Sequence, residues 1–417
     1  MHRVVLIRIN TLFCCCPFCY GTILTEAYTI QQTRKEGEGM RILINTSSSG
    51  NDYIFSIDLA KSLQNLGVEI FLAVTGVPLN DEQKTELKQF DYAYANYKQD
   101  WMENPGTDLL EAGQWLMKIK TNFKPDLVHL NSMLFGILPW NVPVVTVIHT
   151  CMVSRSKAIH NNHLPQKWEM YKQMARASLR ASDAVIAPTQ STLSAAEDIY
   201  GPFKNSRVIP QGRSAYIFRS SVKKKYIFCN GKLMDEANNL ELILNAAPEI
   251  DYPIYIADSL GHMRKKSLAE NVFLTGPVKG KKLSDWMSSA SVYVLPSKYE
   301  TFGYSFVDAA LSKCALIGGN IISLRETWGN SMLYVENKNE LVKAVNRLME
   351  NMDDLYLLGQ KAYETALENY TLIKMARRYY QLYLQMMTVK PEAISRLRKK
   401  STVFRKFDKP QIKSGNL

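Results

Sequence analysis

The segment Leu295-Pro296-Ser297-Lys298-Tyr299-Glu300-Thr301-Phe302-Gly303-Tyr304-Ser305-Phe306-Val307-Asp308 has the residue types and spacing to hold a phosphorylated sugar. An apolar strand ends at Leu295, a polar loop follows, and a helix begins near Tyr304. The first backbone N–H groups of a helix have no partner inside it, and with the helix dipole they attract phosphate. Gly303, just before Tyr304 and Ser305, lets the backbone approach such a group closely. Glu300 before the helix and Asp308 within its first turns are acceptors for sugar hydroxyls beside the same phosphate. The plain alternative is that Glu300 caps the helix and Asp308 lies on the surface, since acids are common at helix starts.

The elements that must position this segment read as short apolar runs alternating with helical stretches. Candidate strands are 41–45, 68–74, 127–130, 144–148, 184–187 and 207–209 in the first half, then 226–229, 254–257, 272–274, 292–295, 315–317 and 332–335. They are short and rich in β-branched residues, as strands buried on both faces by crossover helices must be. Phe55, Leu59, Leu63 and Leu66 recur at helical spacing and Gly67 ends that stretch; later helices are expected over 239–247, 283–290, 304–313 and 372–387. The fold class is therefore α/β, with two Rossmann-like doubly wound parallel-sheet domains at 40–213 and 226–371. A polar, basic linker at 214–225 joins them, a helix at 372–389 follows, and a basic tail fills 390–417. Ligands of such folds bind outside the carboxyl ends of the strands, in the cleft between domains.

Composition narrows the class. The 417 residues are 46% hydrophobic and 22% charged, enough for two cores and far from a disordered chain. The net charge of +12 is concentrated: beyond Val389 nine Lys and Arg face two acids, a net +7. The body is thus only mildly basic, against a nucleic-acid-binding role. The tail, with Ile394, Leu397, Val403, Phe404 and Phe407, suits peripheral contact with an anionic membrane surface; a solvated end is the plain alternative. No apolar stretch reaches the ~20 residues of a membrane span. Cys14, Cys15, Cys16 and Cys19 lack the spacing of a zinc site, while Cys151, Cys229 and Cys314 are scattered, which suggests a reduced, cytoplasmic protein. Residues 1–39 read as a leader or a mis-assigned start: Lys35-Glu36-Gly37-Glu38-Gly39 would have purine-rich codons, as a ribosome-binding site before a true start at Met40 would.

The Glu300–Asp308 segment resembles the signature of the retaining GT-B glycosyltransferases of the large family 4, in which a Glu, seven residues and a second Glu surround Phe-Gly. The resemblance extends over nearly all of Met40 to Met387. Ile209-Pro210-Gln211-Gly212 is similar to the family's Pro-Asn-Gly turn, Ala187-Pro188-Thr189 to its Pro-Ser, and Ser323-Leu324-Arg325-Glu326 to its Leu-Arg-Glu. Gly276, in Leu274-Thr275-Gly276-Pro277-Val278, lies in what resembles the turn beside the nucleotide base. The resemblance implies that Glu300 contacts the transferred sugar and Asp308, one methylene shorter than the family's Glu, the ribose. Gly231-Lys232-Leu233 and Asn238 resemble the Gly-Arg-Leu loop whose Arg and Lys neutralise the donor diphosphate; Lys232 keeps the charge without bidentate geometry and Asn238 loses it. Ser49 and Gly50 stand in the loop that borders the reaction centre on the acceptor side, and His149 stands where the family often has a His facing the donor sugar. His129 reads as structural; Trp168 and Tyr171 read as core or as an acceptor-side wall.

The activity expected is transfer of a sugar from a UDP- or GDP-linked donor to an unidentified acceptor, retaining and metal-independent, with no cofactor, in polysaccharide or envelope-glycan synthesis. The chain has no Asp-x-Asp to clamp a metal diphosphate. Three rivals remain: a non-catalytic relative that binds nucleotide sugars, motivated by Lys232 and Asn238; a sugar-nucleotide epimerase; and a nicotinamide oxidoreductase, which the missing Gly-x-Gly-x-x-Gly argues against.

Overall fold

The computed structural model describes residues 39–102, 106–160, 165–258 and 268–388. The chain makes two parallel sheets in succession. The first contains β1 (Arg41–Ser47), β2 (Glu69–Thr75), β3 (Asp91–Ala95), β4 (Leu127–Leu130), β5 (Val144–Val147), β6 (Ala184–Ala187) and β7 (Ser206–Val208), in the order β3-β2-β1-β4-β5-β6-β7. The second contains β8 (Lys224–Cys229), β9 (Ile254–Ile256), β10 (Val272–Leu274), β11 (Ala290–Leu295), β12 (Ala315–Gly319) and β13 (Leu333–Val335), in the order β10-β9-β8-β11-β12-β13. Ile42, Leu43 and Ile44 are fully buried, as are Val292 and Leu316, because helices cover both faces. Both sheets reverse their winding at the first strand, and there the crevices open at the carboxyl ends.

Two elements differ from the sequence reading. Strand β3, Asp-Tyr-Ala-Tyr-Ala, escapes it because an edge strand half open to solvent has no apolar run to display. The second sheet begins at Lys224, inside the expected linker, and Phe218 is already buried in the second core. Lys223 looks like linker in sequence, yet its Nζ donates to the main-chain oxygens of Ala290 (2.8 Å) and Ser312 (2.6 Å).

The chain crosses between the domains twice, and the crossings touch. Arg213 N donates to Tyr370 O and Leu372 N to Arg213 O, each at 2.9 Å. A Cβ at Gly212 would lie 2.4 Å from Thr371 O, so no side chain fits there. The helix Leu372–Thr388 then returns to the first domain. It lies against the helix Asn51–Gln64 and adds Met375, Tyr379, Tyr380 and Tyr383 to that core.

Candidate active site

The loops after β5 and β6 of the first sheet meet those after β8, β11 and β12 of the second. Direct bonds span the junction. Thr301 Oγ1 donates to His149 O (2.7 Å), and Thr189 Oγ1 to Thr301 O (2.9 Å). Tyr299 Oη accepts from Cys151 N at 3.2 Å. Glu326 takes the backbone N–H groups of Gln190 (2.5 Å) and Ser191 (2.8 Å), the exposed first turn of the helix Gln190–Tyr200, which Thr189 also caps. Arg155 Nη2 meets Asp235 Oδ1 at 2.5 Å.

Glu300 lies at the centre of this junction. Its main-chain oxygen accepts from Ser323 Oγ (2.5 Å) and its carboxylate from the backbone N–H of Gly303. Burial, helped by nearby Asp235 and opposed by the Gly303 N–H, pushes its carboxyl up to about 7. Gly303 itself has φ +83°, and a Cβ there would lie 2.8 Å from Phe306 Cδ2 and 2.9 Å from Leu324 Cδ2, so the tight entry to the helix Tyr304–Leu311 requires glycine. That helix start has no side-chain cap. Ser305 hydrogen-bonds the Tyr293 side chain. Across the β8 loop, Asn238 Oδ1 accepts from Lys232 N at 2.7 Å, closing the turn that begins at Gly231, while the Lys232 side chain is exposed. Gly276 follows β10 at the same edge.

Asp308, the expected partner of the ribose hydroxyls, does not lie on the surface as the plain alternative has it. It is buried, and both its carboxylate oxygens face Arg213: Nε at 2.5 Å from Oδ1 and Nη2 at 3.4 Å from Oδ2. Arg213 Nη1 also holds Asp58 Oδ2 at 2.8 Å, and the guanidinium lies 4.9 Å from the Tyr304 ring centroid. One cation between two acids leaves a surplus of negative charge, and burial pushes the Asp308 carboxyl up to about 6 despite the pairing.

His149 is equally committed. Asn131 Nδ2 donates to Asn45 O, a pure acceptor, which fixes Asn131 Oδ1 toward two imidazoles: His149 Nε2 at 2.6 Å and His129 Nε2 at 3.0 Å. Both Nε2 atoms must therefore carry hydrogen. His149 Nδ1 then accepts from Gln211 Nε2 (2.9 Å) and His129 Nδ1 from Tyr383 Oη (2.6 Å). Burial holds His149 at about 3 and His129 at about 4, so both rings are neutral. His149 thus has no free nitrogen for a donor sugar in this arrangement, whereas the structural reading of His129 stands.

The models for Glycosyltransferase Family 4 and Glycosyl transferases group 1 match residues 55–214 and 224–351, together well over half of the chain. The chain belongs to the group 1 glycosyltransferases of family 4. Sucrose-phosphate synthase from Thermosynechococcus elongatus is similar in structure over 84% of this chain and 100% of that one, with TM-score 0.72 and 17% identity. The Anabaena protein HepE, in complex with UDP and glucose, is similar over 82% and 99%, with TM-score 0.66 and 15% identity. These likenesses establish the GT-B fold. A relative from Klebsiella pneumoniae, the uncharacterized 41.2 kDa protein in the cps region, is 27% identical over 158 residues, 36% of this chain and 43% of that one.

Ser49 and Gly50, expected on the acceptor side, are exposed at the tip of the β1 loop, and the helix they introduce lacks a side-chain cap. Asp100, which no motif marks, stands nearby: Ser132 Oγ donates to its Oδ2 at 2.9 Å, and burial pushes it up to about 6, with Asp52 adding to the shift. Tyr171 is buried and Trp168 meets it edge-on at 5.8 Å, in a first-domain cluster with Met133, Ile148 and Tyr200. Arg155, Asp235, Asn131, Gln211 and Arg213 also escaped the sequence reading; the position of Gln211 and Arg213 in the Pro-Gln-Gly-Arg turn was the one available signal. Cys151, Cys229 and Cys314 are buried and unpaired. Among the described residues no group of His, Cys, Asp or Glu is placed to hold a metal, and no helix is long and apolar enough to cross a membrane. The basic tail, the clustered cysteines and the early leader fall outside the described residues.

Proposed function

We propose that the chain transfers a sugar from a nucleotide-sugar donor to an acceptor hydroxyl, with retention of configuration and without a metal. The observation that carries this reading is Glu300: a carboxyl near neutrality, tied to the uncapped start of the helix Tyr304–Leu311, in the loop whose Thr301 bonds His149 and Thr189 of the first domain. The helix N–H groups and Lys232 would receive the diphosphate, and Glu300 would bond the sugar hydroxyls. The anomeric C–O bond breaks with its electron pair leaving on the diphosphate. The acceptor oxygen attacks the same face, and its proton passes to the departing phosphate. The products are the glycoside and the nucleoside diphosphate. The direct bonds between domains describe a closed junction, which favours transfer over hydrolysis.

HepE, with UDP and glucose bound, supports a uridine-linked donor, and a GDP-linked one is the alternative. The Klebsiella relative in the cps region and the similar WaaG, involved in lipopolysaccharide biosynthesis, support a role in envelope-glycan synthesis on the cytoplasmic side, with the basic tail as a membrane contact. A second reading, nucleotide-sugar binding without turnover, is favoured by one observation: Asp308 and Asn238 are both spent inside the protein. Thermal-shift measurements with UDP, GDP and ADP and their sugars test both. A shift with one nucleotide, together with release of its diphosphate abolished in Glu300→Ala, supports transfer. A shift without turnover across acceptors supports the second reading, and no shift with any nucleotide defeats both.

A further inference from the structure

We propose that Arg155 is a donor-binding residue supplied by the first domain: held on Asp235 at the junction, its guanidinium passes to the diphosphate when a nucleotide sugar binds. The inference rests on the transferase reading above and deepens it.

The placement comes from three contacts. Arg155 lies on the helix Met152–Ile159, which follows β5 and His149 directly. The residue that caps this helix, Cys151, is tied by its N–H to Tyr299 Oη, so the helix is fixed against the loop that carries Glu300. Asp235, its partner at 2.5 Å, belongs to the β8 loop between Lys232 and Asn238 and lies close enough to Glu300 to act on its charge. Arg155 therefore reaches from one domain into the gap between the two loops that would enclose a diphosphate.

The chemistry favours an exchange of partners. Side chains of Arg155 and Asp235 are 28% and 30% exposed, so water screens their attraction. A diphosphate carries more charge than one carboxylate and, like it, accepts the guanidinium fork through two oxygens. It would also enter beside two carboxylates, Glu300 and Asp235, and needs a counter-charge there. In the β8 loop Asn238 supplies none: its side-chain oxygen holds Lys232 N. Asp235 is then a competitor for Arg155, and donor binding releases it.

The test is nucleotide affinity by calorimetry on the full chain, comparing each nucleoside diphosphate (UDP, GDP, ADP) with its monophosphate. Arg155→Gln is expected to weaken the diphosphate roughly tenfold and leave the monophosphate nearly unchanged, with Arg155→Lys intermediate. Asp235→Asn is expected to act in the opposite direction, tightening the diphosphate by about threefold, because the competitor is gone. A merely structural link between domains would move both variants the same way, for both nucleotides. That result, or no change in either variant, overturns the proposal while leaving the transferase reading intact. If the unmutated chain binds no nucleotide, the transferase reading fails and this inference fails with it.

Discussion

Arg213 Nε lies 2.5 Å from Asp308 Oδ1, and the same guanidinium reaches Asp58, so a residue at the domain crossing holds one acid from each domain. The pair is buried, and its worth lies less in attraction than in the cost of undoing it. Arg213→Met is expected to destabilise the chain by about 3–5 kcal/mol, since two buried carboxylates lose their cation. Asp58→Asn, which leaves the Arg213–Asp308 pair intact, should cost far less. Chemical denaturation of the two variants checks the order; equal losses would contradict it.

Glu300→Gln should lose transfer yet gain stability. Glu300 ionises at about 7 in the folded chain and at an ordinary ~4.3 in the unfolded one. Between those values the folded state holds the extra proton, so wild-type stability falls as pH rises and stays low above the folded value. The neutral amide escapes this. Its advantage in unfolding free energy, followed by melting temperature, is expected to grow from pH ~4.5 to ~7 and reach about 1–3 kcal/mol above that. A constant difference at all pH values would refute the assignment.

His149 should leave no mark on the pH profile. With its ring held at about 3 by burial, it is neutral throughout the working range. Sign and window follow: a depressed histidine costs stability only in acid, where the unfolded chain takes up the proton first. Turnover of His149→Gln is expected to keep the profile shape of the parent between roughly pH 5 and 8. A lost limb near 6.5 would make His149 a proton carrier.

Gly212→Ala should push the two crossings apart. The new Cβ would stand 2.4 Å from Thr371 O, a backbone atom that cannot swing away. A loss of about 2 kcal/mol or more is expected, with a lower melting temperature and weaker nucleotide binding. An alanine variant as stable as the parent would show that the crossing is looser than described.

The fold and the strand-loop-helix form of the Glu300 segment were legible because they depend on local signals. Apolar runs gave twelve of the thirteen strands, and Glu300 and Gly303 sit at a strand-to-helix turn. What escaped depends on meetings across the chain. Asp308 lies 95 positions from Arg213, and Arg155 lies 80 from Asp235, so no spacing rule connects them. His149 was placed correctly at a strand end, but its neutrality follows from Asn131, Asn45 and Gln211 together. Strand β3 was lost for the reverse reason: half exposed at a sheet edge, it has no apolar run to read.

The return of the helix Leu372–Thr388 imposes a schedule on synthesis. Tyr379 and Tyr383 complete a core begun by Ile42 and Phe55, yet they leave the ribosome after the whole second sheet. The second sheet, contiguous in sequence, can close on its own helices first. Meanwhile the earlier half waits with an apolar flank open to nascent-chain aggregation. His129 waits too, buried without the hydroxyl that its Nδ1 accepts from Tyr383. A chain ending short of this helix would lack the tyrosines that fill the flank of its first core.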